Sequence, residues 1–187
     1  MPHDPALEAH EHTEHAEHAA HDGDPFVARV AITVAFLAVL AAAAGSMETV
    51  EGGLAITASS EAVLAQDKAT DMWNEYEADS LKKHLYGIAA GEGGPHADEY
   101  RRVSKDQGAK QDEIKKRALE DEAESHKLLA ESGSHERRHH WLTGAATLIE
   151  IGIALSTIAI ITKRRTFWLS ALGLGVVGMV LAAVAFA

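Results

Sequence analysis

The chain has 187 residues, of which 47% are apolar and 24% charged, with a formal net charge of -11 and a mean hydropathy of -0.10; an ordinary soluble domain would share these averages. With no cysteine, a disulfide framework, a thiolate metal site and a cysteine nucleophile are all excluded. The acidic balance argues against nucleic acid as a partner, because phosphate binding needs a basic face.

The averages hide a segregation. Residues 1–29 hold seven acids and one base, 30–47 no charge, 48–140 twenty acids and thirteen bases, and 141–187 one acid and three bases. Apolar residues fall into long blocks, so the chain reads as a small membrane protein with a polar insert. The fold class expected is all-α: three transmembrane helices, with a long antiparallel, coiled-coil-like helical hairpin between the first and the second. The segments are a His/Glu-rich leader (1–25), spans at 26–47, 141–162 and 166–187, the polar hairpin at 48–140, and a basic turn at 163–165.

In the leader, Glu8, Glu11, Glu14 and Glu17 each precede a histidine by four residues, at His12, His15, His18 and His21. On a helix these form acid-to-base pairs in the favourable order, and they tighten as histidine becomes cationic below neutrality. His10, His12, His15, His18 and His21 are also candidate metal ligands, for zinc, nickel or copper. Histidines at three-residue steps spiral around a helix and do not form one cluster, so three readings stay open. They are a solvated low-complexity leader, a metal buffer or sensor, and a pH-responsive docking segment.

The first span is long enough to cross a hydrocarbon core of about 30 Å. A cleaved signal peptide competes, since Ala42-Ala43-Ala44-Gly45 resembles a processing site, but the region ahead of it is long and acidic where a signal peptide is short and basic. Small residues recur at helical spacing on each span: Ala31, Ala35, Ala38, Ala42 and Gly45 on the first; Gly152 and Ser156 on the second; Ala171, Gly175, Gly178 and Ala182 on the third. Such faces let membrane helices approach closely, within one chain or between copies.

Gly52-Gly53 predicts a break after the first span. A helix follows from Leu54 to about Ile88, on which Met72, Trp73, Tyr76, Leu81, Leu85 and Ile88 are the apolar points. After the Gly91–Pro95 loop comes a second helix from about His96 to Glu131, with Tyr100, Val103, Ile114 and Leu128 as sparse apolar points, ended by Ser132-Gly133-Ser134. Matched lengths imply a hairpin whose apolar points face one another. Its second arm is too polar to be held by hydrophobic burial alone, so contact with neighbouring copies is expected. A single-chain hairpin supported by ion pairs four residues apart is the alternative. The glycine loop lacks the lysine and hydroxyl of a phosphate-binding loop.

His135-Glu136-Arg137-Arg138-His139 matches H-E-x-x-H, in which two histidines one turn apart hold zinc and the glutamate activates water. Two arginines between the ligands and the lack of a third ligand at a family spacing weigh against a zinc hydrolase on His135, Glu136 and His139. The simpler reading is a cluster anchoring the second span at the headgroups. The full set of interfacial anchors expected is Arg29, Arg137, Arg138, Trp141, Lys163, Arg164, Arg165 and Trp168. Placing the basic turn at 163–165 on the cytoplasmic side puts the N-terminus inside and 48–140 outside, with Arg137 and Arg138 as opposing evidence. Glu150 is the one ionisable residue well inside a span, which marks an assembly position or an ion path.

The Glu14-His15-Ala16-Glu17-His18-Ala19 run, the alanine-rich first span, the Gln66–Leu85 stretch with Trp73, Tyr76 and Lys83-His84-Leu85-Tyr86, the charged arm and the closing spans around Lys163-Arg164-Arg165 resemble a bacterial membrane family catalogued as domain of unknown function 4337. The resemblance implies a membrane location with three helical spans and supplies no activity. It also implies an uncharged amide at the Glu150 position, so that a charge-based role there is particular to this chain. The expectation is a non-enzymatic inner-membrane protein that contacts the lipid bilayer, self-associates, requires no cofactor, and serves as a scaffold or accessory subunit of a larger membrane complex. The alternative is a pH- or metal-responsive sensor or channel using the leader and Glu150.

Overall fold

The computed structural model describes residues 24–187, so the leader histidines from His10 to His21 lie outside the described residues. Among the described residues there are three helices: α1 (Pro25–Gly91), α2 (Ala97–Thr162) and α3 (Arg165–Val184). Each contains a segment long and apolar enough to cross a membrane. Among the described residues there is no strand.

Asp24 starts α1. Its carboxylate accepts a hydrogen bond from the Phe26 amide at 2.9 Å, and Pro25, which lacks an amide hydrogen and has its φ preset, takes the first helical position. Gly91 ends the helix, and Gly93 and Gly94 have φ of 81° and 107°, values that need a residue without a side chain. Lys163 and Arg164 alone separate α2 from α3. The turn closes because Lys163 takes a φ of 52° and Arg164 is extended.

Two expected breaks are absent. Helix α1 runs through Gly52-Gly53 and α2 through Ser132-Gly133-Ser134. A helical glycine costs only about 1 kcal/mol relative to alanine, which neighbouring turns can outweigh. Gly52 also has a packing reason: a Cβ there would lie 3.2 Å from Nδ1 of His139.

By internal contacts the chain divides into two compact units. The first comprises, of the described residues, 24–55 and 133–187; the second is Ile56–Ser132. In the first unit, Ala31, Val34, Leu37, Ala38 and Ala41 of α1 form a buried cluster with Ile149 and Ile153 of α2. Helix α3 joins through Ala171, Gly175 and Gly178, its buried residues. A Cβ on Gly175 would stand 2.5 Å from Cδ2 of Leu37, one on Gly152 would stand 3.1 Å from the Ala171 carbonyl oxygen, and one on Gly178 would stand 2.9 Å from that of Ala145. The small-residue faces at Gly152, Ala171, Gly175 and Gly178 are therefore contacts within one chain.

In the second unit the buried side chains on α1 include Ala58, Ala62, Ala65, Ala69 and Asp79, and those on α2 include Gln111, Ile114, Ala118, Ser125 and Ser132. Their steps of three, four, seven and ten residues follow a 3.5-residue repeat. Tyr76, Lys83 and Tyr86 continue it on α1. Leu81, Leu85 and Ile88 do not face the other helix as expected; they are 62%, 58% and 64% exposed. They fall off the repeat, whose positions here belong to Tyr76, Lys83 and Tyr86, which meet Gln111, Ser104 and Tyr100 of α2.

The glycines of α3 supply a direct test. Gly178→Ala is expected to destabilise the first unit by about 1–3 kcal/mol, since a backbone carbonyl cannot step aside. Gly173 has nothing within 4 Å, so Gly173→Ala should leave thermal unfolding in lipid nanodiscs unchanged or slightly raised.

Candidate functional site

A polar cluster lies in the first unit, where the apolar stretches of α1 and α2 end. The 3.5-residue repeat that buries Val34, Leu37, Ala41 and Ala44 on α1 puts Glu48 and Glu51 on the same side. On α2 the repeat running back from Ile149, Ala146 and Leu142 arrives at His139 and His135. Acids of one helix thus meet imidazoles of the other.

Glu51 is 8% exposed. His135 Nδ1 approaches its carboxylate to 2.6 Å, and the Arg138 guanidinium stands 3.9 Å from the second oxygen. Nδ1 of His139 donates to the Glu48 carbonyl oxygen at 3.1 Å, an approach that the bare Cα of Gly52 permits. The Thr143 hydroxyl lies 2.7 Å from the Glu48 carboxylate. A buried carboxylate is tolerated only when it is paired and hydrogen-bonded, and this one is.

An open hollow of about 340 Å³ adjoins the cluster, walled by Ser46, Met47, Val50, Glu51 and Phe186. Arg138 lies over the Phe186 ring, 5.8 Å from its centre. The cluster can hold a proton between an acid and an imidazole, and it can present a cation beside an apolar recess.

Of the H-E-x-x-H residues, His135 and His139 turn their Nδ1 atoms to α1, while Glu136 lies on the side of His140, 3.8 Å away. Among the described residues, no three histidine, aspartate or glutamate side chains are grouped so as to hold a metal ion. The anchors divide between the two ends of the first unit. Arg137 and Trp141 are exposed near the cluster. At the other end Lys163 reaches Asp24 at 3.3 Å, Arg29, Arg164 and Arg165 are exposed, and the Trp168 indole donates to the Thr33 hydroxyl at 3.0 Å. Trp168 also meets Phe26 edge to face, with ring centres 6.0 Å apart. Glu150 is exposed on the outer side of α2.

A second polar layer lies within Ile56–Ser132. Asp79, 6% exposed, accepts hydrogen bonds from the Gln107 amide at 3.2 and 3.3 Å and from Lys82 at 2.9 Å. That bond, and the charge behind it, raise the Lys82 ammonium above its ordinary range. The Trp73 indole donates to Glu122 at 2.9 Å, and Ser104 donates to the Lys83 carbonyl oxygen at 3.0 Å.

Neither Glu48 nor Glu51 stands out by residue type in a chain with 28 acids. The signal that finds them is positional: polar residues on a repeat otherwise filled by alanine, valine, leucine and isoleucine.

Among the described residues the architecture is all-helical, with three helices apolar and long enough to cross a membrane. Over residues 26–187 the chain matches the family described as Domain of unknown function (DUF4337), and it belongs to that family. No curated protein and no solved structure matches it.

The Asp24 carboxyl is held below the ordinary carboxylate range, chiefly by the Phe26 amide and next by Lys163. A lowered folded-state value contributes stability above about pH 4 that is lost as pH falls through it. Amide exchange at Val27 and Ala28 should therefore be faster in Asp24→Ala than in the parent at neutral pH. The two should converge when exchange is followed into acid below that value.

Proposed function

We propose that the chain is a non-enzymatic integral membrane protein that self-associates and acts as a scaffold or accessory subunit of a membrane complex. In this reading residues 48–140 form an antiparallel, coiled-coil-like hairpin. Support comes from the order of contacts: Trp73 meets Glu122, the Tyr76 carbonyl meets Gln111, Lys83 meets Ser104 and Tyr86 meets Tyr100. Partners fall in number as positions on α1 rise. The 3.5-residue repeat of buried positions is the spacing such pairing uses.

The observation that carries self-association is the exposed row Leu81, Leu85 and Ile88. Steps of four and three residues align them on one helix face, and in a charged, water-facing arm such a row fits a second helix better than it fits solvent. A bacterial inner membrane, with the N-terminus cytoplasmic and 48–140 outside, suits the basic turn at 163–165. The Asp24–Lys163 contact is consistent with that turn and the start of α1 sharing one side.

Light scattering of the full chain in nanodiscs tests the scaffold reading. The parent is expected as an oligomer, and replacing Leu81, Leu85 and Ile88 together by serine should weaken association about tenfold or more, on the order of 1.4 kcal/mol. A monomeric parent overturns the reading.

The Glu51–His135 pair favours a second reading, a pH response, because a buried acid and an imidazole meet there at 2.6 Å. The groups around it are Glu48 and Glu51 on α1, and Arg138 and His139 on α2. A tryptophan fluorescence change between about pH 7.5 and 5.5 that disappears in His135→Gln would support this reading; a change that survives the substitution would remove His135 from it. Metal response rests on the leader histidines and is tested by zinc calorimetry on the full chain.

A further inference from the structure

Glu150 lies nine residues past Trp141, about 13 Å along the helix and therefore near the middle of a hydrocarbon core. The buried positions of α2 around it, Ala146, Ile149, Gly152 and Ile153, face α1 and α3. Glu150 points the other way, is exposed, and makes no hydrogen bond or ion pair with any described residue. Segments 30–47, 141–162 and 166–187 contain no other acidic, basic or histidine residue, so the chain offers no charged partner at that depth. Lipid tails offer none either, and a carboxyl in hydrocarbon needs one.

We infer that the face of α2 bearing Thr147, Glu150, Ala154 and Thr157 is where a second copy of this chain packs within the membrane, each Glu150 meeting its counterpart across a two-fold axis. The inference rests on the self-association reading above and locates its intramembrane contact. A second copy inserted in the same direction brings its own carboxyl to the same depth, and a two-fold axis along the membrane normal presents the same face to itself. Two carboxyls meet as donor and acceptor once one of them carries a proton.

The surroundings of Glu150 suit a close approach. Thr147 and Ala154, one turn to either side, are small and exposed. The hydroxyls of Thr147 and Thr157 already donate to the Thr143 and Ile153 carbonyl oxygens, at 2.8 and 3.3 Å, so these side chains demand nothing more from a neighbour. Small residues flanking a polar one characterise contacts between membrane helices. Large exposed residues occur on all three helices, at Ile32, Phe36 and Val39 on α1, at Ile151, Ile158 and Ile161 on α2, and at Val176, Val177 and Val180 on α3; what sets this face of α2 apart is the carboxyl between two small neighbours.

The chain has no native cysteine, so single substitutions report without background. In native membranes treated with diamide, Ala154→Cys is expected to form a disulfide-linked dimer in most of the protein, and Phe36→Cys or Val177→Cys in only a small fraction. Association measured by energy transfer on dilution in lipid should fall about tenfold or more in Glu150→Leu and stay within about threefold of the parent in Glu150→Gln, whose amide both donates and accepts. Glu150 contacts nothing in its own chain, and unchanged circular dichroism of Glu150→Leu would show that the monomer is intact.

Equal crosslinking at 36, 154 and 177, or parent-like association of Glu150→Leu, overturns the inference. If association then depends only on Leu81, Leu85 and Ile88, the scaffold reading stands without this face. A parent that is monomeric by both methods removes both.

Discussion

Backbone-to-backbone approach in the first unit depends on the missing side chains of Gly152, Gly175 and Gly178. At Gly152 and Gly178 the carbonyl of a neighbouring helix occupies the space a Cβ would need, and at Gly175 the tip of Leu37 fills it. Lipid tails are as apolar as leucine, so burying aliphatic groups between membrane helices yields little. Dispersion contacts across short separations must supply the cohesion, and these fall away steeply with distance. Leu37 is the shared element, touching the Cβ sites of both Gly152 and Gly175, so α1, α2 and α3 meet around one side chain.

The polar groups follow a different logic. The 3.5-residue repeat places Glu51 and His135 opposite each other in the first unit, and Asp79 opposite Gln107 in the second. Each replaces an apolar pair with one that requires a particular partner on the other helix. Alanine against alanine can slide by a turn at small cost; a buried carboxylate cannot, because its partner would be lost. Alanine-rich stretches such as Ala58 to Ala69 specify register weakly, and the polar layers supply what they lack.

Much of the architecture is legible in the order of residues. Uncharged length marks the apolar segments, glycines with positive φ mark the loop after Gly91, and small residues at helical spacing identify Ala171, Gly175 and Gly178 as a packing face. Two kinds of information are harder to read. Gly52-Gly53 and Ser132-Gly133-Ser134 look like punctuation, yet continuous helix overrides their low propensity. The row Leu81, Leu85, Ile88 draws the eye as a core face because its side chains are large, while the true seam is carried by alanine and by hydrogen-bonding residues. Size misleads where the closest contacts are made by the smallest side chains. Glu48 and Glu51 become visible only when position in the repeat is weighed above residue type.

The two-residue turn between α2 and α3 sets two demands against each other at one position. A φ of 52° at Lys163 suits glycine, and a lysine there sacrifices on the order of 1 kcal/mol of local comfort. The same side chain extends to Asp24, linking this turn to the first residue ahead of α1. A glycine would relax the backbone and abolish the link; a lysine keeps the link and bears the strain. The start of α1 is thus clasped by a residue 139 positions away in sequence, and the ends of this small bundle are closed by charge where its middle is closed by shape.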